Sequence, residues 1–126
     1  MNNLLGIDYG ERYIGLAIKK SGVNIPYAHK IIDSKNSNLI EELKKTIKNE
    51  KITTLIIGHP KGLMNKETRM SKLVDSFVND VLKKNFNLPI IKIDERLTSK
   101  IVNTSRSKRM DDLSAIKLLE TYISNV

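Results

Sequence analysis

The stretch Leu4–Ala17, LLGIDYGERYIGLA, constrains the fold of this chain more than any other. Asp8 closes a short apolar run, Leu4-Leu5-Gly6-Ile7, and lies between Gly6 and Gly10. An apolar run of this length bounded by glycine reads as a buried strand. It puts a carboxylate where the strand leaves the core, and the flanking glycines leave room for a bulky group to approach it. A second apolar stretch, Tyr13–Ile18, follows after Gly10-Glu11-Arg12, a link short enough for a β-hairpin. The chain is therefore expected to open with a hairpin whose turn carries an acid. Taken alone, such an aspartate does no more than end a strand and cap a turn. The rest of the chain decides whether it does more.

Two classes of protein open in this way. In RNase H-like nucleases the strand-one aspartate holds a divalent metal. In actin-like and sugar-kinase ATPases a related turn approaches nucleotide phosphates. The second class needs two such domains around a cleft, whereas 126 residues make one ordinary domain, expected to span 1–126. With 40% apolar and 29% charged residues the composition is that of a soluble globular protein. No apolar run is long enough to span a membrane, and Met1–Asn3 does not begin a signal peptide, so a cytoplasmic location is expected. Cysteine is absent, which excludes disulfides and thiolate metal sites. His29 and His59 alone do not make a histidine-rich zinc site. The formal charge of +8 favours a polyanionic partner, nucleic acid first, although a Lys-, Asn- and Ile-rich composition produces part of it.

Past a turn at Lys19–Asn24, Val23–Ile32 reads as a third extended stretch, with Pro26 suited to a strand start or edge. After the polar break Asp33–Asn38 the period changes. Leu39, Ile40, Leu43 and Ile47 recur at helical spacing, Asn38 with Glu41 resembles a capping box, and the helix is expected to fade near Asn49. Leu55–Gly58 is apolar throughout, as in a strand buried on both faces. Met70, Leu73, Val74, Phe77, Val78, Val81 and Leu82 mark the clearest helix. Pro89–Ile93 reads as a strand ending in Asp94-Glu95-Arg96. The last helix runs from Asp111 towards Ile123, with Leu113, Ile116, Leu119 and Ile123 as its apolar face.

The order β-β-β-α-β-α-β-α predicts an α/β fold with a mixed five-stranded sheet. Strand one should lie between the second hairpin strand and the Leu55 strand, with right-handed crossovers. In open α/β sheets the site lies beyond the carboxyl ends of the parallel strands. Those ends carry Asp8, Gly58-His59-Pro60 and Asp94-Glu95-Arg96. The start of the last helix adds Asp111 and Asp112, which as ordinary helix-start acids would cap N–H groups and complement the dipole. One of them aimed at the strand ends would complete a cluster of three carboxylates, costly unless a cation neutralises it. An oxygen-only acidic site suits Mg²⁺ or Mn²⁺, and two such ions support phosphodiester cleavage.

Four motifs then carry a resemblance. Gly6-Ile7-Asp8-Tyr9-Gly10 with Arg12, Ile14, Gly15 and Ala17 resembles the opening motif of the YqgF (RuvX) family. Gly58-x-Pro60 and its basic-polar loop resemble the second, and Asp94-Glu95-Arg96-Leu97-Thr98-Ser99 the third. Asp111-x-x-Ser114-Ala115, Leu118-Leu119-Glu120 and Tyr122 resemble the final helix. The resemblance spans nearly the whole chain. It implies an RNase H-like fold and a cytoplasmic nuclease linked to maturation of the 5′ end of pre-16S ribosomal RNA, also proposed as a Holliday-junction resolvase. By motif position it implies Asp8, Glu95 and Asp111 as catalytic, metal-holding acids, and leaves Asp112 as a cap. A nucleic-acid-binding module without activity is the remaining reading.

Two departures accompany the resemblance. The stretch between Ser99 and Asp111 is shorter than is usual in the family, which bears on substrate contacts. His59 and Asn65-Lys66 differ from the family's second loop. His59 could act as a general base, but a strand-end histidine is more often a turn residue. Arg12, Lys61, Arg69, Arg96, Lys100, Arg106, Lys108 and Arg109 lie near the proposed edge and are the candidate phosphate contacts. Tyr9 and Tyr13 are expected to pack in the core rather than stack on bases, and 5% aromatic residues do not make a stacking platform.

Overall fold

The computed structural model describes residues 2–60, 68–94 and 109–124, the side chains of 109–112 excepted. Strands β1 (Leu4–Asp8), β2 (Tyr13–Lys19) and β3 (Tyr27–Asp33) precede helix α1 (Leu39–Asn49). Strand β4 (Thr54–His59) leads to α2 (Arg69–Phe77), which continues through a π-helical turn, Val78–Leu82, and a last α-turn, Lys83–Asn85. Strand β5 (Ile90–Asp94) and helix α3 (Arg109–Ser124) complete the order.

The strands form one sheet in the order β3-β2-β1-β4-β5, as the order of elements predicts. Strand β1 pairs antiparallel with β2 and parallel with β4, and β4 pairs parallel with β5. The apolar strands β1 and β4 are thus central. Alternation divides their side chains between two layers. Leu5, Ile7, Leu55 and Ile57 face α1 and α2 with Leu43, Val74, Phe77 and Leu82. Leu4, Ala17 and Ile56 face α3, packing with Ala115 and Leu119. This two-sided burial is why β4 reads as an unbroken apolar run.

Several expectations are corrected. The third strand starts at Tyr27, not Val23: Val23 and Ile25 are exposed and have no sheet partner before Pro26. The last helix starts at Arg109. Its buried stripe is Ala115, Leu118 and Leu119, whereas Leu113 is half exposed. Leu119 is buried as expected, and Ala115 joins it because the helix lies close against Gly6 of β1, where a small side chain fits. At α1, Asn38 Oδ1 accepts from the Glu41 N–H at 3.1 Å, which is one half of the expected box. The reciprocal box forms at α2 instead. Thr68 Oγ1 accepts from Ser71 N–H at 3.1 Å, and Ser71 Oγ accepts from Thr68 N–H at 2.8 Å.

Candidate active site

The site is set by the direction of α3. Ala115 and Leu119 lie over Gly6 of β1. The far end of the helix, Lys117–Ser124, lines a groove with Asn24, Ile25 and Pro26. That loop follows the end of β2 where Lys19 pairs with Leu4. Helix α3 therefore runs antiparallel to β1, with its N-terminus towards Asp8. Asp111 lies one turn before Ala115, about 6 Å along the axis, and Asp8 lies two residues beyond Gly6, a similar rise along the strand. The backbone accordingly brings position 111 to the Asp8 end of the sheet.

Asp8 is half-buried, opposite Gly15 of β2, and shares its face with Leu4 and Gly6, the α3 face. The space left by the missing Cβ atoms of the two flanking glycines is filled by the protein itself. A Cβ on Gly6 would meet the Ala115 carbonyl oxygen at 2.9 Å, and one on Gly10 would meet the Tyr13 carbonyl oxygen at 2.5 Å. At these two positions glycine admits a helix and a tight turn. In β5, Ile91 and Ile93 share the α3 layer, while Lys92 contacts the other. Odd-numbered positions of this strand thus face the side of Asp8.

Glu95, Lys61, Arg96, Lys100, Arg106 and Lys108 lie outside the described residues, and Arg109, Asp111 and Asp112 are described by backbone alone. Among the described residues, no three His, Asp or Glu side chains come together as a metal site. Of the proposed acids, Asp8 alone has a described side chain.

The two candidate phosphate contacts that are described, Arg12 and Arg69, both engage carboxylates. Arg12 donates to both Asp33 oxygens at 3.1 Å and lies over the Tyr13 ring, 5.0 Å from its centroid. Asp33 also accepts from Asn36 Nδ2 and the Lys35 N–H. The Arg12 guanidinium and these bonds hold its carboxyl down at about 2. Arg69, the first residue of α2, donates to both oxygens of Glu11 at 2.6 Å, which lowers the Glu11 pKa. This forked pair ties the loop after Asp8 to α2.

His59 lies on the opposite face from Asp8. It is buried, and its Nε2 is 3.0 Å from Asp75 Oδ1 on α2. The contact is a close approach without hydrogen-bond alignment, because Nε2 has no hydrogen-bond partner. Lys92 Nζ donates to the same Asp75 oxygen at 2.7 Å and holds that carboxyl below its usual range, helped by His59. Sequence reasoning missed this Asp75 junction between α2, β4 and β5, since nothing local links the three residues. Tyr9 packs in the core, stacked on Phe77 with ring centroids 4.5 Å apart, as expected.

Comparison with known proteins agrees with this architecture. The family model described as "RuvX: Holliday junction resolvase" matches residues 2–125. The chain belongs to the RuvX family. A relative from Karelsulcia muelleri, named "Putative pre-16S rRNA nuclease", is 39% identical over 98% of this chain and 99% of its own. One of the same name from Rickettsia bellii is 32% identical over 98% and 86%. Among solved structures, T. thermophilus RuvC in complex with a Holliday junction substrate superposes with a TM-score of 0.58 at 12% identity, covering 99% of this chain and 96% of that one. A second Thermus thermophilus RuvC structure gives 0.54, covering 98% and 95%. The RuvX chain thus has the RuvC-type, RNase H-like fold, a mixed five-stranded sheet with helices packed on it. Among its described residues no helix is long and apolar enough to cross a membrane.

Proposed function

We propose that this RuvX chain is a metal-dependent nuclease, a single domain over 1–126, that acts in the cytoplasm on the 5′ end of precursor 16S ribosomal RNA. The observation that carries the reading is the half-buried carboxylate of Asp8 at the end of the central strand, on the face of the sheet that α3 covers. Relatives 32% and 39% identical over nearly the whole chain carry the name "Putative pre-16S rRNA nuclease", which supports the choice of substrate.

Asp8 offers a hard oxygen donor on a rigid strand, the donor chemistry that suits Mg²⁺ or Mn²⁺. Asp8, Glu95 and Asp111 would hold the ion, Glu95 being the residue that follows Asp94, the last of β5. When bound, such a cation activates water and stabilises the leaving oxygen of a phosphodiester. The chain itself fixes the carboxylates and keeps the Arg12 and Arg69 guanidinium groups near the edge where phosphates approach. Lys61, Arg96, Lys100, Arg106, Lys108 and Arg109 complete the proposed phosphate contacts.

The family description favours a second reading, cleavage of branched DNA. Symmetric cutting of a junction requires two active sites, hence a dimer. A module that binds without cutting is the third. Purified protein with Mg²⁺ or Mn²⁺ should cleave a 5′-extended 16S precursor in preference to a four-way DNA junction. Depleted cells should accumulate the extended precursor. Junction cleavage with normal precursor ends would favour the second reading. Binding of either substrate without cleavage would favour the third.

A further inference from the structure

Helices α1 and α2, with the turns that extend α2, end at the sheet edge away from Asp8, where the parallel strands begin. Asn3 organises this edge. Its Nδ2 donates to the Glu50 and Lys51 carbonyls at 3.2 and 3.1 Å, and its Oδ1 accepts from the Ser21 N–H at 2.8 Å. Four segments therefore meet here: the start of β1, the end of β2, the end of α1 and the start of β4. Lys44, Lys48 and Lys51 recur at i, i+4 and i+7 and are all exposed, and Lys83 and Lys84 end the α2 continuation at the same edge. Glu50 is taken up by Lys20, 3.0 Å away. Among the described residues, Lys48, Lys51, Lys83 and Lys84 have no carboxylate within ion-pair distance. Lys44 lies 4.0 Å from Glu41, and at the other end the two cations with described side chains among the candidates, Arg12 and Arg69, are both paired.

A cation near a helix C-terminus offsets the dipole, which accounts for Lys48, Lys83 and Lys84. At Lys51 the same gain does not offset the backbone cost of the position. That residue has φ 54°, the left-handed region. The bond from Ile52 N–H to the Ile47 carbonyl, 3.0 Å, and that from Lys51 N–H to the Lys48 carbonyl, 3.3 Å, form a Schellman ending with Lys51 in the position glycine favours. A lysine there gives up backbone stability that glycine would supply. What it supplies instead is an exposed positive charge just past the helix end that carries Lys48.

We propose that this lysine-lined edge is a second phosphate-contacting surface, which holds a stretch of RNA remote from the bond at Asp8. It rests on the nucleic-acid reading above for the identity of the polyanion, and not on cleavage. Lys51 is the residue whose backbone cost marks the surface as used.

Lys51→Gly separates the two roles. The variant should melt at the same temperature or up to a few degrees higher, as strain is relieved. Its affinity for a long hairpin RNA, followed by fluorescence anisotropy, should nevertheless fall. Lys44→Ala/Lys48→Ala/Lys51→Gly should lose on the order of tenfold at low salt, with the slope of log K against log salt shallower by about 2. A short oligonucleotide that spans only the Asp8 end should bind and be cleaved as by the parent. Unchanged affinity and salt slope for the long RNA would overturn the proposal, whatever the melting temperature. Asp8→Asn serves as the control: it should bind the long RNA normally without cutting it. If Asp8→Asn still cuts, the cleavage reading fails while the lysine surface stands.

Discussion

Gly6 and Leu119 touch so closely that a Cβ on Gly6 would stand 2.9 Å from Leu119 Cγ, as near as it would stand to the Ala115 carbonyl. This contact sets the distance between α3 and the central strand, and with it the distance between the helix start and Asp8. The Ala115 carbonyl is backbone and cannot rotate away. Gly6→Ala should therefore push α3 outward and cost about 1–3 kcal/mol by overpacking. Because the helix carries Asp111, cleavage at a temperature where the variant is folded should fall as well. Thermal melts with single-turnover cleavage check both. Parent-like stability would mean that the helix yields without strain.

Much of this fold is legible in the sequence. The period-3.6 stripe of α2 and the unbroken apolar runs of β1 and β4 record burial on one face and on two. Strand order followed from the meander and the crossovers. Helix α3 was less legible, because its buried face is chosen by Gly6, over a hundred residues earlier in the chain. Asp8 could be singled out by its glycines, but that Gly6 stands against Leu119 and Gly10 against the Tyr13 carbonyl could not be read locally. The pairings of Arg69 with Glu11 and of Asp75 with His59 and Lys92 join residues that are distant in the chain, and composition and periodicity carry no trace of them.

Glu11 holds Arg69 in a two-pronged bond beside the Asp8 edge. Bound phosphate would compete with that carboxylate for the same guanidinium. Glu11→Gln should raise nucleic-acid affinity at low salt and steepen the salt dependence by up to about one contact. Stability should barely change, as is usual for an exposed ion pair. Arg69→Ala should weaken binding. Anisotropy titrations at several salt concentrations test the pair, and equal affinity in all three proteins would remove Arg69 from the interface.

Asp33 makes the acid side of the stability profile predictable. Its carboxyl is lowered from 3.8 to about 2, first by Arg12, then by Asn36 and the Lys35 N–H. A depressed folded value means that the unfolded chain takes up the proton first as pH falls. The stabilisation is therefore complete above about pH 4 and is lost on descent towards pH 2. Arg12→Ala should bring the Asp33 titration back towards the ordinary range. The stability gap between parent and variant should then narrow as pH falls from 5 to 2, on the order of the window the two values define. Side-chain carboxyl NMR titration and urea unfolding across this range provide the check. A gap that is constant with pH would show that Arg12 stabilises by packing on Tyr13 rather than by its charge.

The acids themselves give the sharpest test. Asp8 comes from the central strand, so its position is the most rigidly fixed of the three proposed ligands. Asp8→Asn keeps the shape and removes a negative charge, so the fold should survive, with a small gain if neighbouring carboxylates repel it. Mg²⁺- or Mn²⁺-dependent cleavage should collapse, because hard divalent cations need charged oxygen ligands. Glu95→Gln and Asp111→Asn should behave alike. Asp112 is the fourth residue of the helix and so lies past the cap expected of it; Asp112→Asn should cost no more than the loss of a charge near the helix start, of order 1 kcal/mol or less, and leave cleavage intact. Metal dependence has a second readout, since added Mn²⁺ should raise the melting temperature of the parent and not that of Asp8→Asn. If the first three variants cut like the parent, the active site is elsewhere. If Asp112→Asn alone abolishes activity, the acid on α3 is one residue further along the helix than the motif indicates, at a position rotated by about 100° from Asp111.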